Sequence, residues 1–107
     1  MNGITPELDR QNQIEIVVLQ ALCGVLSSNI KALTLEYLER DVVVHFLLRE
    51  ESEVDREEIE ENFPTEVSVL TNGTEIGEVL AIPVIEFVGE NEYGYLPPGR
   101  QVLKFRD

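Results

Sequence analysis

Asn62-Phe63-Pro64-Thr65-Glu66-Val67-Ser68-Val69-Leu70-Thr71-Asn72-Gly73 is the stretch on which the fold turns. Val67, Val69 and Thr71 alternate as a strand does, and Asn72-Gly73 is a hairpin signal, so residues 66–71 read as a strand entering a β-turn. Taken with the residues before it, the same stretch reads as a helix, because Val67 and Leu70 continue, at steps of four and three, a stripe begun by Ile59 and Phe63. Pro64 cannot donate to a helical ladder, yet Asn62 can cap a new turn that holds Pro64 among its first residues, where no donor is required. A kinked helix ending at Asn72-Gly73 is the reading carried forward, with the strand as its rival.

Upstream, the helix opens in Glu50-Glu51-Ser52-Glu53-Val54-Asp55-Arg56-Glu57-Glu58-Ile59-Glu60-Glu61, where eight carboxylates against one arginine hold −7 of the chain's net −13. Ser52 is the natural cap, Asp55 stands in the capping-box position, and early carboxylates complement the helix dipole. Val54, Ile59 and Phe63 supply an apolar side, which turns Glu57, Glu58, Glu60 and Glu61 outward. Like charges three and four residues apart cost a helix a few tenths of a kcal/mol per pair. Helix stability therefore does not explain the run.

Before it come two segments of period two. In residues 32–38, Leu33, Leu35 and Tyr37 fall on one face and Thr34, Glu36 and Leu38 on the other; after the turn Glu39-Arg40-Asp41, Val42, Val44, Phe46 and Leu48 alternate with Val43, His45 and Leu47. The second set is apolar for a solvated face, which fits either a sheet covered on both sides or a surface kept for a partner. Earlier still, Ile14, Val17, Val18, Ala21, Leu22, Val25 and Leu26 make one helical stripe. Its start signals are Thr5-Pro6-Glu7 and Asn12-Gln13-Ile14-Glu15, and Ser27-Ser28-Asn29 ends it. Gly24 within that pattern predicts close approach of a strand backbone.

Downstream, residues 79–88 are rich in β-branched side chains and read as a third strand, with Pro83 sending it to an edge or a bulge. Residues 89–99 form a polar loop holding Tyr93 and Tyr95. Residues 101–106 alternate again, with Leu103 and Phe105 inward. The order α-β-β-α-β-β predicts a two-layer α+β sandwich: a four-stranded, mainly antiparallel sheet with helices on one face, all in one domain spanning residues 1–107.

A chain of 107 residues buries roughly 65% of its unfolded surface, enough for one core, and 43% hydrophobic content fits a folded chain. With 21 acidic against 8 basic residues, nucleic acid and anionic membranes repel it. There is no signal-like N-terminus and no apolar run near the ~20 residues that span a bilayer, which points to the cytoplasm. Cys23, the only cysteine, reads as a buried, inert thiol in the first helix. Neither it nor His45, the only histidine, has a convergent partner for nucleophilic or acid/base chemistry. Glu51, Glu53 and Asp55 alternate as in a calcium loop, but the central glycine is missing. Gly73 and Gly77 open no phosphate-binding helix. No enzyme activity, cofactor or metal is expected.

Binding is what remains. The carboxylates Glu50, Glu51, Glu53, Asp55, Glu57, Glu58, Glu60 and Glu61 form a ridge that attracts a basic partner, and Tyr93 and Tyr95 are of the type that anchors interfaces. The alternative is a structural subunit that forms a homo-oligomer through Val43 and Leu47.

From Leu22-Cys23-Gly24-Val25-Leu26-Ser27-Ser28-Asn29-Ile30-Lys31-Ala32, through the strand pair and into Glu50 to Ile59, the chain resembles small, acidic bacterial immunity proteins of contact-dependent growth inhibition and related polymorphic toxin systems. The resemblance spans roughly residues 14–60 and the general element order. It implies a cytoplasmic protein that neutralises one cognate protein toxin, commonly a nuclease, by covering its active site or substrate surface.

Overall fold

Along the chain, a computed structural model, which describes residues 6–25, 27–90 and 94–104, places α1 (Pro6–Leu22), β1 (Ile30–Tyr37) and β2 (Val42–Leu48). A bent helix follows in three segments: α2 (Glu53–Glu57), a π-helical turn (Glu58–Asn62) and α3 (Phe63–Thr71). Then come β3 (Ala81–Phe87), a short 3-10 turn (Val88–Glu90) and β4 (Arg100–Lys104).

The deciding stretch is helical. Pro64 offers no N–H, and the chain absorbs the mismatch by widening one turn, so that the Phe63 N–H bonds to the Glu58 carbonyl five residues back. Ile59, Phe63, Val67 and Thr71, at steps of four, are all fully buried, while Val69 is 64% exposed. A strand would place Val67, Val69 and Thr71 on one face; here the core selects one helical stripe instead. At the end of α3 the Asn72 N–H bonds to Ser68 and Gly73 takes a positive φ of 83°, as a helix stop requires. The Thr71 hydroxyl accepts the buried Val79 N–H at 2.8 Å and ties this end to the approach to β3.

The sheet order is β3-β2-β1-β4. β1 pairs antiparallel with both β2 and β4, and β2 pairs parallel with β3. The sheet is thus mainly antiparallel but mixed, and β3 and β4 occupy opposite edges instead of pairing as consecutive strands. The cause is the bent helix: it carries the chain from the end of β2 back across the sheet, so β3 starts beside the start of β2 and runs with it. The edge position of β3 accommodates Pro83, as expected.

On the helical side Leu33 and Leu35 of β1, Val42, Val44, Phe46 and Leu48 of β2 and Ala81 of β3 form one buried cluster with Ile14, Val18 and Leu22 of α1 and the stripe of the bent helix. Phe46 and Phe63 meet edge to face, their ring centroids 5.3 Å apart at 87°. The opposite face is covered too: Ala32, Thr34, His45 and Leu47 are buried. The chain returns over it before β4, with the Thr34 hydroxyl donating to the Pro98 carbonyl at 2.7 Å and the Tyr95 hydroxyl to Glu86 at 2.7 Å. Gly99 makes this return fit, since at its φ of 106° a β-carbon would overlap the Leu35 carbonyl.

Two expectations at the end of α1 change. α1 ends at Leu22, so Gly24 lies in an exposed turn, with no strand backbone near it. Cys23 is exposed, because it stands in the turn after α1, on the side away from buried Ala21, Leu22 and Val25. In β4, Val102 packs against the core and Arg100 pairs with Glu15 of α1 at 2.7 Å; a register shift beside Leu33 and Thr34 leaves Arg100 opposite Leu35 and Leu103 opposite Leu33. Phe105 and the side chain of Leu103 lie outside the described residues, as does Thr5.

Candidate functional site

The acidic helix is docked at its N-terminus by a residue from the far side of the strand pair. Asn29, just before β1, accepts the Glu50 N–H on Oδ1 at 2.9 Å, and its amide donates to the Glu50 carbonyl at 2.7 Å and to Asp55 Oδ2 at 3.0 Å. The Ser52 hydroxyl accepts the Asp55 N–H at 3.3 Å, the expected cap. Asp55 is consequently half-buried and already engaged. Nothing in the local sequence around Asn29 announces this role, since its partners lie 21 and 26 residues on.

Arg56 is the ridge's own cation. Its Nε and Nη2 donate to the two oxygens of Glu51, both at 3.0 Å, and its Nη1 reaches Glu60 at 3.4 Å. The bidentate hydrogen bond from Arg56 holds the Glu51 carboxyl below its ordinary value, and the same bond raises Arg56. Around this clasp Glu53, Glu57, Glu60 and Glu61 line an open groove of about 410 Å³, with four carboxylates facing the one guanidinium. All four are exposed. Glu50 is exposed at the entry to the helix, and half-buried Glu58 turns toward α1, lining a second groove.

The structure therefore gathers most of the eight carboxylates on one surface, with Asp55 drawn into the helix start. Tyr95 does not join them. It is half-buried on the sheet face away from the helices, where its bond to Glu86 raises the phenol above its ordinary value. Tyr93 lies outside the described residues.

That covered face holds a polar group the sequence did not announce. His45 of β2 is 6% exposed; its Nε2 pairs with Glu36 of β1, and its Nδ1, buried without a hydrogen-bond partner among the described residues, lies 3.8 Å from Glu86 of β3. The histidine joins three adjacent strands beneath the returning segment. Leu47 is 2% exposed and Val43 half-buried. Of the two residues named for the alternative, a homo-oligomer, only Val43 keeps part of its surface open.

A model of the MafI2 immunity protein family matches residues 11–82. The chain belongs to the MafI2 immunity protein family. The match takes in most of α1, both central strands and the whole acidic helix, and stops within β3. Membership assigns toxin immunity and a cognate toxin as partner, in agreement with the resemblance to immunity proteins of polymorphic toxin systems. Comparison with curated proteins gives no match. Among the described residues no helix is long and apolar enough to cross a membrane.

Proposed function

We propose that this MafI2 family member neutralises a basic, nuclease-type toxin in the cytoplasm by binding it through the acidic helix, without catalysis of its own. The observation that carries this is the groove lined by Glu53, Glu57, Glu60 and Glu61. Its single cation is already held by Glu51 and Glu60, so the remaining charge faces solvent uncompensated. A nuclease must be basic where it holds phosphates, and a row of fixed carboxylates can occupy that surface in place of nucleic acid. The field of the ridge speeds encounter with such a partner and repels nucleic acid and anionic membranes. Delivery by contact-dependent inhibition is the setting proposed for that toxin. Tyr93 and Tyr95 enter the contact where the toxin reaches around the sheet.

The test is co-expression with the toxin encoded beside it, followed by binding kinetics. The triple variant Glu53→Gln, Glu57→Gln, Glu61→Gln spares the Arg56 clasp. It is expected to lower the association rate by about tenfold and to flatten its dependence on salt. Growth arrest by the toxin, relieved by the wild-type chain, establishes immunity. An unchanged rate and salt slope in the triple variant would remove the ridge from the interface.

A further inference from the structure

The acidic ridge has a neighbour of opposite character. Between residues 11 and 30 the only charged residue is Glu15, which Arg100 pairs, so the outward side of α1 beyond its first turn is uncharged. On that side Ile16 is 57% and Leu19 37% exposed, and the Cys23 thiol follows one turn after Leu19. These three side chains, at spacings of three and four, run along α1 into the turn that follows it, while the other stripe of the helix already fills the core. Gln20, one turn after Ile16, and Gly24 then form one wall of a groove of about 310 Å³, and Glu58, Asn62 and Glu66 of the bent helix form the other. An uncharged apolar surface thus runs directly into a carboxylate wall, on a molecule of net charge −13.

Resting on the immunity reading above, we infer that Ile16, Leu19 and Cys23, with the groove beside them, are the anchoring half of the toxin interface. The occupant is a basic segment of the toxin that lays an apolar side chain on the α1 stripe and points flanking lysine or arginine toward Glu58 and Glu66. Charge selects this occupant. A second copy would bring its own carboxylates to the same wall, whereas a cationic segment meets both halves of the surface at once. In this division the ridge sets how fast the toxin arrives, and the stripe sets how long it stays.

Binding kinetics of the toxin domain with three proteins separate the two ideas: wild type, Ile16→Ser with Leu19→Ser, and the triple glutamine variant. Both serines replace side chains outside the core cluster, and an unfolding midpoint checks that the variant is folded. The serine variant is expected to raise the dissociation rate by about tenfold or more, with the salt slope unchanged. Cys23 supplies a second readout on the native chain, since saturating toxin should block its reaction with a maleimide. If the serine variant binds as wild type does, or Cys23 stays reactive in the complex, this inference is overturned, while a slowed triple variant leaves the ridge reading standing. If wild-type protein forms no complex, both fall together.

Discussion

Tyr95 and Thr71 show how single polar atoms fasten the chain around its core. The Tyr95 hydroxyl donates to Glu86, and the phenol is raised because ionisation would remove the donor and place a second negative charge beside the carboxylate. A folded-state value above the unfolded 10.0 means that the stabilisation is complete below pH 10 and disappears as pH rises through the folded value. Tyr95→Phe should therefore cost stability at neutral pH and soften the alkaline loss above pH 10 in urea titrations. A remaining loss belongs to Tyr37, raised by burial and by Glu15. At the other end of the core, Thr71→Val deletes the acceptor of the Val79 N–H, in a place where both residues are fully buried. An unpaired buried N–H costs about 1–3 kcal/mol, which the midpoint of chemical unfolding would register at an unchanged slope.

At the scale of elements, the question is what holds the acidic helix where it is. Asn29 satisfies both backbone groups of Glu50 and one oxygen of Asp55, so Asn29→Ala should loosen the helix start by about 1–3 kcal/mol. The loosening is local, and hydrogen exchange should quicken first in residues 50–58 while β1 and β2 stay protected. An equal increase across the whole chain would show that Asn29 is merely part of the global core. The same elements show what a sequence can reveal. The helix around Pro64 was legible because burial at steps of four overrides the alternation of Val67 and Val69, and the Ser52 cap was legible because capping is local. The direction of β3 was not, since it depends on where a crossover lands, and neither were Asn29 and the His45 group, whose partners are distant in sequence. Cys23 could have been placed correctly: the apolar positions Ala21, Leu22 and Val25 turn inward and leave position 23 facing away from them.

For the whole molecule, the ridge poses an energetic problem that the fold does not solve. The body measures 43 × 28 × 20 Å, and at physiological salt charges interact over only about 8 Å, so the repulsion is concentrated where Glu53, Glu57, Glu60 and Glu61 crowd one groove. The Arg56 clasp holds Glu51 and, of these four, Glu60 alone. Changing Glu53, Glu57 and Glu61 to glutamine should then stabilise the protein by a few tenths of a kcal/mol for each like-charged pair removed, seen as a Tm higher by about 2–4 °C at low salt. In 1 M salt, where the screening length is about 3 Å, the gain should vanish. The decisive comparison is between this gain and the loss of association rate in the same variant. A protein that becomes more stable and slower to capture its toxin has carboxylates placed for the partner at the expense of the fold. One that becomes more stable and binds at the same rate carries them for solubility alone, and the contact then has to be sought on the Ile16 and Leu19 side of α1.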